Sequence, residues 1–289
     1  MLLRRFTTAA TNAPAEDAAS HQETRIQNTI ISDLRFIVPL LMQYPKCYWI
    51  WNYRQWLLEE AEKRLDKAVV LKLWEEELGL VGKMLVRDER NFHGWSYRRF
   101  VVGRIEALRS PEEGTLVEQE FEYTETKIRA KLENFSALHY RATLLPRLLQ
   151  ERGADGATRR KMLQSELDLM ETALVDAMNQ SAWFYHQFLM TTVGDDLPVE
   201  QRIVQDLTTT EQLEIYEQEL ERIKSILEDE DDSKWVYEAL ISYALAYRSL
   251  GGSGAVDDEE LRAWIRQLYA LDPMRTGRWR ELEASLNAR

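Results

Sequence analysis

Cys47 is the chain's single thiol. No histidine stands at a spacing that would set an activating base beside it, so it reads as buried filler rather than as a nucleophile. His21, His93, His139 and His186 are scattered, with no cysteine or acidic partner at metal-ligand spacing, which predicts no zinc site in this chain. Arg54, Arg98 and Arg141 recur at matching positions. Each carries a planar fork suited to a carboxylate across a subunit interface, or to capping and ring stacking within the chain. Lys46, between Pro45 and Cys47, taken alone reads as a surface lysine. These residue types offer charge and shape to a neighbour rather than a covalent intermediate.

The elements that carry them repeat. Pro45-Lys46-Cys47-Tyr48-Trp49-Ile50-Trp51-Asn52-Tyr53-Arg54 aligns with Glu89-Arg90-Asn91-Phe92-His93-Gly94-Trp95-Ser96-Tyr97-Arg98. Asn134-Phe135-Ser136-Ala137-Leu138-His139-Tyr140-Arg141 is a third copy, with Leu138 at the Trp position, and Asn179-Gln180-Ser181-Ala182-Trp183-Phe184-Tyr185-His186 a fourth, with His186 in place of the Arg. Between copies lies a second amphipathic segment such as Leu73–Val81, so each repeat reads as a helical hairpin, and a period of 43 to 45 residues with two helices is solenoid geometry. Trp51, Arg54 through its aliphatic stem, Leu57 and Leu58 follow helical spacing, which turns Trp51 toward the neighbouring hairpin and Tyr53 away. Further on, Glu211–Leu227 reads as a long helix ending in the acidic run Glu228–Asp232. Lys234-Trp235 opens a degenerate further unit, Gly251-Gly252-Ser253-Gly254 is a loop, and Leu261–Leu271 is a helix that Asp272-Pro273 stops.

Composition agrees. The 289 residues include only 12 Gly and 7 Pro among abundant Leu, Glu, Ala, Arg and Lys, and 45% are hydrophobic. That fits an all-α chain with a packed core, in which the repeated aromatics are mainly inter-repeat packing. A net charge of -12 argues against a broad nucleic-acid surface. A lone cysteine fits a reducing, cytoplasmic setting, and no apolar run is long enough for membrane insertion.

The recurring pattern of an aromatic, two residues, Trp, Ser/Asn/His, Tyr and Arg resembles the repeat of protein prenyltransferase alpha subunits over about residues 33–280. Arg87–Phe100, Asn134–Pro146, Gln180–His186 and Leu271–Arg275 are more similar to the Rab geranylgeranyltransferase version than to the farnesyltransferase one. The resemblance implies a right-handed superhelix, or solenoid, of antiparallel helical hairpins over 33–289. Residues 1–32 form an N-terminal segment, in which Leu2-Leu3-Arg4-Arg5-Phe6 looks like the tail of a first hairpin. The composition of the first fifteen residues would also suit a mitochondrial transit peptide, a weaker explanation.

The same resemblance implies a beta subunit that holds zinc and the isoprenoid pocket, with this chain wrapped around it. It implies geranylgeranyl diphosphate as co-substrate, and an escort protein that presents the Rab GTPase. By motif position Lys46 reaches the diphosphate with Tyr48 beside it. An ammonium in a partly dry crevice would stabilise the charge on a departing diphosphate. Partner contacts are expected of Trp51, Asn52, Tyr53 and Arg54, of His93, Trp95, Tyr97 and Arg98, of His139, Tyr140 and Arg141, and of Trp183, Tyr185 and His186. Farnesyltransferase-like subunits place a Gln after the motif Tyr to read a substrate carboxylate. Trp49 stands there instead, which fits a substrate delivered by an escort. The rival readings are the alpha subunit of farnesyltransferase and type I geranylgeranyltransferase, and a non-catalytic tetratricopeptide-like adaptor.

Overall fold

Helix begins wherever a motif asparagine can close it. Asn91 accepts from the backbone N–H groups of His93 and Gly94, Asn134 from that of Ala137 and Asn179 from that of Ala182. Each satisfies donors that the first helical turn otherwise leaves unpaired. The computed structural model describes residues 15–287, with side chains from His21 to Leu286, and contains no β-strand among them. Leu2–Phe6 and most of the possible transit segment lie outside the described residues.

The helices are α1 (Ala15–Phe36), α2 (Val38–Gln43), α3 (Tyr48–Glu62), α4 (Lys67–Arg87), α5 (Phe92–Leu108), α6 (Val117–Ala130), α7 (Phe135–Glu151), α8 (Gly156–Leu174), α9 (Gln180–Val193), α10 (Thr209–Asp229), α11 (Lys234–Ser249), α12 (Asp258–Leu271) and α13 (Thr276–Asn287). Helix α1 runs through residues 32 and 33, where the sequence divided the N-terminal segment from the repeats. Contacts gather into two compact units, Met1–Leu116 and Val117–Arg289.

In the first unit α3 packs on α1, α4 and α5, and α4 lies along α5. Trp51 is buried, with its ring 5.0 Å from that of Tyr97 in the next motif helix, as the helical spacing predicts. In the second unit the motif helices α7, α9 and α11 contact one another in succession, while α6, α8, α10 and α12 pack as their companions. No hairpin buries its apolar stripe alone. Leu144, Leu148, Leu167, Met170, Leu189, Leu220 and Leu240 close a core shared between neighbours.

The segment predicted from Glu211 extends over Thr209–Asp229, and its first turn carries a capping box formed by Thr208 and Glu211. Gly251 and Gly254 have φ of 90° and 96°, a region that costs other residues strain. At Gly252 an added Cβ would overlap the ring of Tyr247. The glycine loop is therefore a fitted turn after α11.

Asn179→Ala is expected to lower stability by about 1 kcal/mol, measured as a urea midpoint shift at constant slope. Its side chain also donates to the carbonyl of Ala173 at 3.4 Å. A neutral result would mean that the cap is replaced by water.

Candidate functional site

A recurrent buried ion pair joins the motif helices α3 and α7 to their companions α4 and α8. Arg54 Nε and Nη2 donate to the two carboxylate oxygens of Glu77 at 2.6 and 2.5 Å, and Tyr97 Oη of the next motif helix donates to Glu77 at 2.9 Å. The second unit repeats the arrangement. Arg141 donates to both oxygens of Glu166 at 2.7 Å, and Tyr185 donates to the same Glu166 at 2.7 Å. Arg54 and Arg141 spend a further N–H on the carbonyls of Leu34 and Phe121, and Arg141 lies 3.6 Å from the Phe121 ring centroid.

Burial is the largest single influence on both guanidinium pKa values and would depress them, but the hydrogen bonds and the negative charge of the paired carboxylate together outweigh it and raise them. Burial, with the adjacent carboxylate, pushes the Tyr97 and Tyr185 phenols well above their usual range, so both remain donors. In the fourth motif His186 takes the arginine's place. Its Nε2 lies 2.8 Å from Glu219 and its Nδ1 2.8 Å from Tyr243 Oη.

These contacts correct part of the expected partner surface. Trp51, Arg54, Trp95, Tyr97, Arg98, Tyr140, Arg141, Trp183, Tyr185 and His186 are all buried in the chain's own packing. The indole N–H groups of Trp51, Trp95 and Trp183 each donate to a carbonyl six residues earlier, on Pro45, Glu89 and Ala177. A partner can meet Asn52, Tyr53 and His93, which are half-buried, and His139, which is exposed.

Glu77, Glu166 and Glu219 did not enter the sequence reading, yet a signal existed. Each is a carboxylate on an apolar helical stripe: Leu73, Glu77 and Val81; Leu163, Glu166 and Met170; Tyr216, Glu219 and Ile223. An acid at that register needs a buried cation.

Lys46 and Tyr48 have the opposite character. The Lys46 side chain is 73% exposed, and its one ion-pair partner among the described residues is Asp88, at 3.9 Å. Tyr48, the first residue of α3, is exposed, and its ring lies 5.5 Å from Trp49 and 6.4 Å from His93. Phe92, also exposed, begins α5 and lies 4.0 Å from the His93 ring. Two helix N-termini, an ammonium and an imidazole thus share one edge of the first unit. Such an edge favours an anion, because both helix dipoles present their positive ends there.

In the second unit, exposed Phe135 and Phe184 and half-buried Trp235 form an edge-to-face file with centroid separations of 6.3 and 5.5 Å. A cavity of about 180 Å³ opens beside it, lined by Trp183, Phe184, Gln187, Trp235, Glu238, Tyr243, Arg275 and Arg278. No group of three or more His, Cys, Asp or Glu side chains among the described residues could hold a metal ion. No described helix is long and apolar enough to cross a membrane.

The fold and these sites define a subunit built of helical hairpins, with its own chemistry reduced to a charged rim. The family described as "Protein prenyltransferase alpha subunit repeat" matches residues 31–61 and 74–105. The chain is similar to the geranylgeranyl transferase type-2 subunit alpha of Saccharomyces cerevisiae, at 31% identity over 256 residues covering 86% of this chain and 72% of that one. It is similar to the Schizosaccharomyces pombe protein of the same name at 30% identity, covering 88% and 85%. The rat protein of that name matches at 38% over 162 residues, 55% of this chain and 26% of that one. The chain belongs to the protein prenyltransferase alpha subunit family.

Proposed function

We propose that the chain is the alpha half of a heterodimer that transfers geranylgeranyl from its diphosphate to C-terminal cysteines of Rab GTPases presented by an escort protein in the cytoplasm. The observation that carries this reading is Lys46, an ammonium held open to solvent beside Tyr48 at a helix N-terminus. In the reaction a cysteine sulfur that has given up its proton, as the thiolate, attacks C1 of the isoprenoid, the thioether C–S bond forms and the C–O bond to the diphosphate breaks. The electron pair leaves on the diphosphate oxygen. Lys46 places positive charge where that negative charge develops, with Tyr48 beside it. The reading assigns zinc and the prenyl pocket to the beta subunit.

Escort docking falls to the aromatic file Phe135, Phe184 and Trp235 with the cavity beside it. Exposed aromatics next to an arginine are the composition of interface anchors. The names of the relatives support geranylgeranyl as the transferred group.

Co-expression with candidate beta subunits tests the reading. A pair that prenylates Rab only when an escort protein is added is the expected result. Transfer to short C-terminal peptides without an escort would assign the chain to the farnesyltransferase and type I group. Stable purification alone, with no beta subunit able to confer transfer, would reduce it to an adaptor.

A further inference from the structure

The turn that holds Lys46 is fixed by the turn that begins the next motif helix. The Pro45 carbonyl, one residue before Lys46, accepts from Trp51 Nε1 at 2.8 Å and from Asn91 Nδ2 at 3.0 Å. Asn91 belongs to the tight turn 88–91, closed by its own N–H donating to the Asp88 carbonyl at 3.2 Å. Asp88 is the C-cap residue of α4, and its carboxylate lies 3.9 Å from the Lys46 ammonium. One turn therefore anchors both the backbone before Lys46 and the far end of its side chain.

The second unit shows what is general in this arrangement and what is special. There the Ala177 carbonyl accepts from Trp183 Nε1 at 2.9 Å and from Ser233 Oγ at 2.6 Å, the counterpart of the Pro45 anchor. Lys234, at the start of α11, likewise meets Asp272, the C-cap residue of α12, at 3.4 Å. That pair is closed. The Asp272 side chain is 8% exposed and also meets Arg275 at 3.5 Å, while Lys234 lies 4.8 Å from the Trp235 ring centroid. At Lys46 and Asp88 the exposures are 73% and 34%, and the separation is longer. The anchoring serves the fold in both places. The loose, solvent-facing pair at Lys46 does not look built for stability, because an exposed ion pair at this distance is weak and readily exchanged.

We infer that Asp88 is a positioning residue for prenyl transfer, holding the Lys46 ammonium over the edge formed by α3 and α5 until a diphosphate takes it. This rests on the reading of Lys46 as the diphosphate contact. A free lysine side chain samples many rotamers, and a weak tether reduces what must be ordered when the anion arrives without competing strongly against it.

The test is single-turnover transfer from geranylgeranyl diphosphate to escort-presented Rab by the intact alpha–beta pair, with Asp88→Asn, Asp88→Glu, Lys46→Ala and the Lys46→Ala/Asp88→Asn double variant. Asp88→Asn is expected to slow the chemical step three- to tenfold at unchanged heterodimer melting temperature, Asp88→Glu to restore most of it, and the double variant to match Lys46→Ala alone. Equal slowing by Asp88→Asn in the presence and absence of Lys46 would overturn the inference, because Asp88 would then act without it. So would an unchanged rate in Asp88→Asn when Lys46→Ala is slow, with the diphosphate reading intact. An unchanged rate in Lys46→Ala would instead overturn that reading, and this one with it.

Discussion

Lys46→Ala is expected to lower the single-turnover rate of prenyl transfer about a hundredfold while leaving the heterodimer intact. Removing one donor aimed at developing negative charge costs on the order of 10²–10³ in rate at sites of this kind. Among the described residues the side chain makes no tight contact that would confuse the outcome: it is exposed, and its one ion pair, with Asp88, is loose. Lys46→Arg should recover only part of the rate, since a planar fork does not replace a compact point charge. The discriminating measurement is the rate under saturating isoprenoid diphosphate. If the loss appeared only as weaker binding of that substrate, with the saturated rate unchanged, Lys46 would hold the diphosphate equally in ground and transition states and its proposed role would fail.

Glu166→Ala carries the largest expected effect on stability, a loss of about 3–5 kcal/mol, because it leaves a buried guanidinium and a buried phenol without their acceptor. Arg141 and Glu166 side chains are 3% and 2% exposed. Substituting both by leucine should recover much of the loss, since a packed apolar pair avoids the desolvation of two charges. By contrast, the exposed pair of Arg152 and Glu118 should be worth less than about 1 kcal/mol. Urea unfolding of Glu166→Ala, of the double leucine variant and of Glu118→Ala separates these cases. A loss below 1 kcal/mol for Glu166→Ala would mean that water reaches the site and that the repeat is held by its aromatics alone.

What the sequence displayed was the helical hairpin and its repetition. Asn, Trp, Tyr and Arg recur at one spacing, and in the structure the asparagines cap helices, the indole N–H groups tether carbonyls, Tyr97 and Tyr185 donate to a carboxylate, and Arg54 and Arg141 are bidentate cations. The arginines were legible as fork-shaped cations, with partners inside or outside the chain both open. Their partners stand 23 and 25 residues further on, in the companion helix. Those glutamates belong to the less regular half of the repeat, where nothing in the aligned motifs marks them. The same blindness applies to Asp88, whose meaning comes from a turn that folds back on Pro45. The candidate site at Lys46 was readable only through resemblance, since a single lysine after a proline has no periodicity to distinguish it.

The shared glutamates also govern how the protein comes apart. Because Glu77 and Glu166 each serve an arginine in one motif helix and a tyrosine in the next, a hairpin cannot open without stranding a buried charge in its neighbour. Opening either unit across its shared glutamate is therefore penalised. Each unit should lose its slowest-exchanging amides together rather than hairpin by hairpin.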